Sequence, residues 1–375
     1  MVSTRVADLH GSPVRAMLAA AQQPGVISFA GGLPAPDSFA DLNFPPPPTD
    51  MLQYGPTEGE PALRAALAAE LASIGLDCPA ERILVLTGSQ QGIDLVAKLM
   101  VDAGTPVAVE APAYLAALQV FRFFGARLQI LDRAVPLAGA SPRPALAYVT
   151  PTFQNPSGHC WTAAERGALA AACDAGDTVL FEDDPYRDLV YDPCERTPVC
   201  ARLTRASWIY QGSFSKTMAP GLRLGFLAAS ADLFPHLVNL KQAADLHSNR
   251  LSQFYALNYL SDPDRPRRLR DLVARYRHRR DRFAESLQRH FADLADWTVP
   301  AGGLFFWATL KSGADTAVLL DRARGENVLF TPGEHFLDAS RRPCASLRLN
   351  FSHAEEAAAD RGLEILARLV RQAAI

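Results

Sequence analysis

The chain has 375 residues, 49% hydrophobic and 21% charged, a mixture that supports a large core and excludes a disordered or fibrous protein. No stretch approaches the roughly 18 consecutive apolar residues of a membrane span, and 37 basic against 40 acidic residues leave a net charge of −3, too little to draw the chain to nucleic acid or an anionic membrane. Six scattered cysteines with no Cys-x-x-Cys pair form neither a disulfide scaffold nor a metal pattern, and an N-terminus with no basic-then-apolar leader points to the cytoplasm.

In chain order, the first fifty residues hold a short helix around residues 13–22, a turn at Gly31-Gly32-Leu33-Pro34 and the proline run 45–48, and read as an arm. From residue 83, short apolar runs at 83–86, 106–110, 127–131, 145–150, 178–182, 208–211 and 224–228 alternate with helical stretches such as 90–101, 113–123 and 163–175. That alternation predicts an α/β fold with a mostly parallel sheet. The runs lack in/out alternation, as strands do when helices cover both faces. After residue 230 the pattern changes to long helices at 233–259 and 265–291, then two strand-like runs beginning at Gly302 and Ser346. Arginine is dense from 265 to 282, but Leu269, Leu272, Val273, Tyr276, Phe283 and Leu287 recur at helical spacing, which makes this a helix with an arginine-covered solvent face. The expected division is an arm over 1–50 packed on the small domain, a large domain over 51–260, and a small α+β domain over 261–375.

The most informative segment follows a predicted strand: Gly212-Ser213-Phe214-Ser215-Lys216, then Pro220-Gly221-Leu222-Arg223-Leu224-Gly225. Taken alone, Ser-x-Ser-Lys is an ordinary turn with a solvated lysine. The hydroxyls of Ser213 and Ser215 and the guanidinium of Arg223 would suit a phosphate dianion beside an amine-reactive aldehyde. Thr87-Gly88-Ser89-Gln90-Gln91-Gly92 sits at a strand-to-helix junction, where backbone N–H groups and the helix dipole favour a phosphate. Gln154-Asn155-Pro156-Ser157-Gly158 follows another strand, and Glu182-Asp183-Asp184-Pro185-Tyr186 places carboxylates at the edge where open α/β sheets bind ligands.

Together these segments resemble the fold-type I, pyridoxal 5′-phosphate (PLP) dependent aminotransferases of class I/II. Ser12-Pro13-Val14-Arg15 and Ile27-Ser28-Phe29-Ala30-Gly31-Gly32-Leu33-Pro34 are most similar to the 2-aminoadipate/kynurenine aminotransferase group. The resemblance implies the PLP-dependent transferase fold, a seven-stranded sheet covered by helices on both faces plus a smaller α+β domain. It also implies that Lys216 holds PLP as a Schiff base and, once freed, carries the substrate's α-proton. Asp183 then faces the pyridine nitrogen, by the Asp-x-x-Tyr spacing that prefers it to Asp184. Tyr186 and Asn155 face the phenolic oxygen, Tyr114 stacks on the ring, and Gly88, Ser89, Gln90, Ser213, Ser215 and Arg223 surround the phosphate. Tyr54 would reach the phosphate of a neighbouring subunit, implying a homodimer with shared active sites.

On the substrate side the resemblance gives Arg348 the α-carboxylate, with Asn155 and Gly32 beside it and Arg15 at a distal carboxylate. A planar cationic fork suits a carboxylate. Arg250 departs from the group, which has a small or uncharged residue there. It is expected either to enter a neighbouring active site and favour anionic substrates or to form an interface salt bridge. The implied activity is ping-pong transfer of an amino group from an L-amino acid to a 2-oxo acid, 2-oxoglutarate in particular, with 2-aminoadipate, aromatic or branched-chain donors. The alternative on the same fold is a PLP-dependent lyase, decarboxylase or cyclising enzyme. A transcription regulator with an aminotransferase-like domain is not expected, because the pattern starts by about residue 12 and leaves no room for a helix-turn-helix.

Overall fold

The computed structural model describes residues 2–7, 23–42, 45–137, 139–337 and 344–373. In chain order the strands are Ile27–Ser28 (β1), Ile83–Leu86 (β2), Pro106–Val109 (β3), Arg127–Ile130 (β4), Leu146–Val149 (β5), Val179–Asp183 (β6), Trp208–Ser213 (β7), Gly225–Ala229 (β8), Ala295–Trp297 (β9), Phe305–Leu310 (β10), Val328–Leu329 (β11), Thr331–Pro332 (β12) and Ser346–Asn350 (β13). All seven strands expected between residues 83 and 229 form, and they make one sheet in the order β2-β8-β7-β6-β5-β3-β4. Only β8 runs against the others.

The sheet is buried on both sides, which is why its strands read as unbroken apolar runs. Along β2, β5 and β6, Ile83, Val85, Ala147, Val149 and Leu180 enter one core, and Leu84, Leu86, Leu146, Tyr148 and Phe181 enter the other. Helices Pro61–Ser73, Ala163–Gly176 and Arg250–Ser261 cover the first face; Ser89–Met100, Leu115–Phe123 and Phe234–Asp245 cover the second. Leu63, Leu67 and Leu71 of the first helix recur at helical spacing and are almost fully buried, each contributing about 1.5–3 kcal/mol from burial.

A third core joins the long helix Arg265–Phe291 and the C-terminal helix Glu356–Ala373 to a four-stranded antiparallel sheet, β12-β13-β10-β9. Leu272, Tyr276, Phe283 and Leu287 of the long helix are buried, as its apolar spacing predicts. Its arginines are solvated or ion-paired, and Arg280 is a buried one, paired with Asp192 and Asp281 and donating to the Pro300 carbonyl. From the arm, β1 pairs in parallel with β11 and Phe29 joins this third core. The helix expected around 13–22, with Arg15, lies outside the described residues.

The helix expected over 233–259 is two helices, Phe234–Asp245 and Arg250–Ser261. Leu246 takes a left-handed φ of 65°, and the Asn249 side chain caps the second helix by accepting from Ser252 N at 3.0 Å. A polar cap at the break outweighs apolar periodicity that passes through it.

Candidate active site

The carboxyl ends of β5, β6 and β7 meet the 30–34 turn, β12 and β13 around a cavity of about 330 Å3. An open α/β sheet binds ligands at this edge, because the chain leaves each strand there in a loop free to carry side chains. Of the sequence-derived candidates, Gly32, Ser89, Gln90, Tyr114, Asn155, Asp183, Tyr186, Ser213, Ser215, Lys216, Arg223 and Arg348 all line it. Tyr54 does not: it is 76% exposed and packs edge-on against His247 at 5.8 Å. Arg250 is also outside, its guanidinium bound to Glu60 and to the carbonyls of Asp50 and Gln53 of its own chain.

At one end of the cavity, helix Ser89–Met100 begins with Gly88 as N-cap and no side chain capping it. Gly88 has φ 76°, and a Cβ there would stand 2.6 Å from Arg223 Nη2. Glycine therefore lets a guanidinium close over a helix N-terminus, a pairing that suits a phosphate. Beneath it, buried Lys241 donates to Gln91, Asp245 and Ser248, fixing the turn to the break between the two helices.

At the floor, Asp183 ends β6. Tyr148 Oη donates to its Oδ2 at 2.8 Å and Gln211 Nε2 to its Oδ1 at 2.9 Å. Burial raises the Asp183 carboxyl to about 6, against those two donors. The neighbouring residues point the other way: Glu182 accepts from Cys200 N, and Asp184 from Tyr210 Oη and Arg187. Asp184 lies outside the cavity lining.

Opposite, Lys216 Nζ donates to the Gly32 carbonyl at 2.8 Å and lies 5.8 Å from the centre of the Tyr186 ring. Burial, with repulsion from Arg348 and Arg223, lowers its amine to about 8, so that about a tenth is neutral at pH 7, far more than for an ordinary lysine. Arg348, on β13 and 4% exposed, donates to Asn155 Oδ1 at 2.8 Å, to Thr331 Oγ1 at 3.2 Å and to the Ala30 carbonyl. The rings of Phe305 and Phe336 flank it. Every one of these partners is neutral, Nε has none among the described residues, and burial lowers the guanidinium to about 10. Asn155 Nδ2 in turn donates to Tyr186 Oη at 3.4 Å, so one amide joins Arg348 to the tyrosine.

Sequence reasoning missed Tyr148, Gln211, Thr331 and Arg166. Arg166 is fully buried and holds the carbonyls of Pro151, Trp161, Glu195 and Thr197, bracing the 151–161 loop that presents Asn155. The available signal was a polar residue in a run otherwise fit for burial, as with Gln211 in Trp208-Ile209-Tyr210-Gln211.

Comparison with known proteins agrees with this geometry. The family model described as aminotransferase class I and II matches residues 48–366. The chain is 33% identical to aromatic-amino-acid aminotransferase 1 of Thermococcus litoralis, covering 99% of this chain and 94% of the relative. It is 34% identical to a 2-aminoadipate transaminase of Thermus thermophilus, covering 97% and 94%. A Pyrococcus horikoshii kynurenine aminotransferase, solved in complex with PMP, superposes with a TM-score of 0.89 at 30% identity, covering 99% of this chain and 97% of that one.

Proposed function

Because the chain belongs to the class I and II aminotransferases and is a PLP-dependent transaminase, we propose that it moves the amino group of a 2-aminoadipate, aromatic or branched-chain amino acid to a 2-oxo acid, 2-oxoglutarate foremost, in a ping-pong cycle. The observation that carries this is a buried arginine with no carboxylate partner among the described residues, facing a lysine of lowered amine pKa across one cavity. Leu33, Pro34 and Leu115 line the same cavity and give an apolar side chain somewhere to rest.

The residues present fit the cofactor. Arg223 over Gly88 suits its phosphate, the Asp183 carboxylate suits a protonated ring nitrogen, and the Lys216 amine suits its aldehyde. When bound, PLP supplies an aldehyde that accepts the amino group and a ring that draws off the electrons left when the α-proton departs.

The rest is the chain's own work. Arg348 binds the substrate α-carboxylate and so orients the α-carbon toward Lys216. Asn155, bonded to both Arg348 and Tyr186, keeps the carboxylate site in register with the cofactor site. Lys216 Nζ, kept partly neutral, takes the α-proton and returns it to the carbon that was the cofactor's aldehyde. Arg15 remains our candidate for a distal carboxylate.

We also assign the active unit as a homodimer with shared sites in which exposed Tyr54 faces the partner's phosphate, and the cytoplasm as its compartment. All six cysteines are free thiols, in keeping with a reducing compartment. Sedimentation of the holoenzyme tests the dimer.

The deciding experiment mixes holoenzyme with a panel of amino acids, one turnover at a time, and follows the cofactor's visible absorption together with the products. A 2-oxo acid and an aminated cofactor in equal amounts support the proposal. Carbon dioxide or an eliminated side chain in place of the 2-oxo acid would overturn it in favour of a decarboxylase or lyase.

A further inference from the structure

Asp183 is held from both sides by strands that flank its own. β6 pairs with β5 so that Tyr148 lies opposite Phe181, and with β7 so that Gln211 lies opposite Asp183. Side chains alternate along a strand, so Phe181 and Asp183 share a face, and Tyr148 and Gln211 project from that face on either side. Each carboxylate oxygen receives one donor: Tyr148 Oη on Oδ2 at 2.8 Å, Gln211 Nε2 on Oδ1 at 2.9 Å.

Packing alone does not ask for these two polar groups. Tyr148 is 1% exposed with its ring edge-on to Phe121 and Phe181, a place where phenylalanine would pack as well. Gln211 is fully buried, and its Oε1 has no partner among the described residues. Turning the amide over would aim that oxygen at a carboxylate, acceptor against acceptor. The unmet carbonyl is therefore the cost of delivering the N–H2 to Asp183. Room for it comes from Gly92, where a Cβ would stand 1.8 Å from Gln211 Oε1. The helix next to the sheet gives up a side chain at that point.

We propose that Tyr148 and Gln211 are positioning residues that hold Asp183 as an anion facing the cofactor's ring nitrogen, so that the proton shared between the two stays on nitrogen. The proposal rests on the assignment of Asp183 made above. Burial drives the Asp183 carboxyl up toward about 6, and Gln211 and Tyr148 oppose it. Hydrogen bonds to the charged form favour that form. With the donors removed, burial and the nearby Asp184 charge leave the proton on the carboxyl, and a neutral ring is the poorer electron sink. Burial raises the Tyr148 phenol well above its ordinary range, so it stays a donor.

The test is holoenzyme reconstituted with PLP carrying nitrogen-15 in its ring, in four forms besides wild type: Tyr148→Phe, Gln211→Leu, the double variant, and Asp183→Asn as reference. We expect the ring-nitrogen resonance to move from the protonated toward the neutral position in each single variant and further in the double. We expect kcat to fall about tenfold per donor lost, with KM for the amino acid unchanged because Arg348 is untouched. Tyr148→Phe removes one hydroxyl and keeps the ring, so it reports even where Gln211→Leu does not fold. A wild-type resonance in Tyr148→Phe at saturating cofactor, whatever its activity, overturns the proposal, as does a neutral ring nitrogen in the unaltered enzyme. A protonated position that persists in Asp183→Asn would instead sink the assignment of Asp183 itself.

Discussion

Two charged residues face each other across the cavity, and the chain treats them in opposite ways. Asp183, on the floor, has a donor for each oxygen; among the described residues Arg348, on the roof, has only neutral acceptors and an Nε with no partner. A buried charge without a counter-charge is destabilising. The floor's two hydrogen bonds are thus made before any ligand arrives, although its charge, like that of Arg348, has only neutral partners among the described residues; the roof keeps an N–H as well as its charge for an incoming carboxylate. Substrate binding energy is concentrated where folding left a deficit.

Lys216 lines the same cavity, and its loss has the largest expected effect. Lys216→Ala should abolish borohydride fixation of the cofactor to the chain, read by mass spectrometry, and slow transamination by roughly 10^4-fold. Retained fixation would remove Lys216 from its role.

Arg348→Gln sharpens the contrast directly. We expect kcat/KM for amino acids to drop about 10^2-fold, from two lost charge-assisted hydrogen bonds, while the apo protein's Tm holds or rises because an uncompensated charge has gone. Asp183→Asn should lower Tm by about 2–4 °C, since an amide N–H2 must then face one of two donors. If both substitutions lower Tm alike, floor and roof do not differ as argued.

A pH experiment probes the coupling between roof and lysine. The neutral amine is the form that attacks the cofactor aldehyde, and the Lys216 amine is lowered to about 8. The rate of cofactor uptake by apo protein should therefore rise with pH and level off above about 8. In Arg348→Gln one repelling cation is gone, the charged amine is less disfavoured, and the midpoint should move to higher pH. A midpoint that stays put would show that Arg348 does not act on the lysine.

The smallest effect is expected at Arg250. Within its own chain it is bound to Glu60 and to the 50–53 backbone, contacts that already occupy its guanidinium. Arg250→Ala should leave the ratio of rates on acidic and neutral amino acids unchanged and lower Tm by about 2 °C or less. A changed ratio would reinstate a role in substrate choice.

Much of this was legible in the sequence because burial on both faces writes strands as apolar runs, and all seven runs fall where β2 to β8 form. The Asp-x-x-Tyr spacing also singled out Asp183, and strand alternation turns Asp184 the other way, toward Tyr210 and Arg187. Contacts set by strand register were not legible. Tyr148 and Gln211 meet Asp183 from 35 and 28 residues away, and Arg250 meets Glu60 across 190 residues. The break at 246–249 escaped because leucine carries no local signal for a left-handed φ.

The reversal of β8 has a mechanical consequence. A parallel successor to β7 would have required a crossover to the far edge of the sheet. Because β8 instead turns straight back, residues 214–224 leave and rejoin the sheet at the cavity edge, tethered at both ends by the β7–β8 ladder. That one strap carries both Lys216 and Arg223, the groups we assign to the cofactor's aldehyde and to its phosphate, which sit on neighbouring ring carbons. The distance between them is held by a single short span of chain, so a residue inserted or deleted there would mis-set the spacing even with every side chain intact.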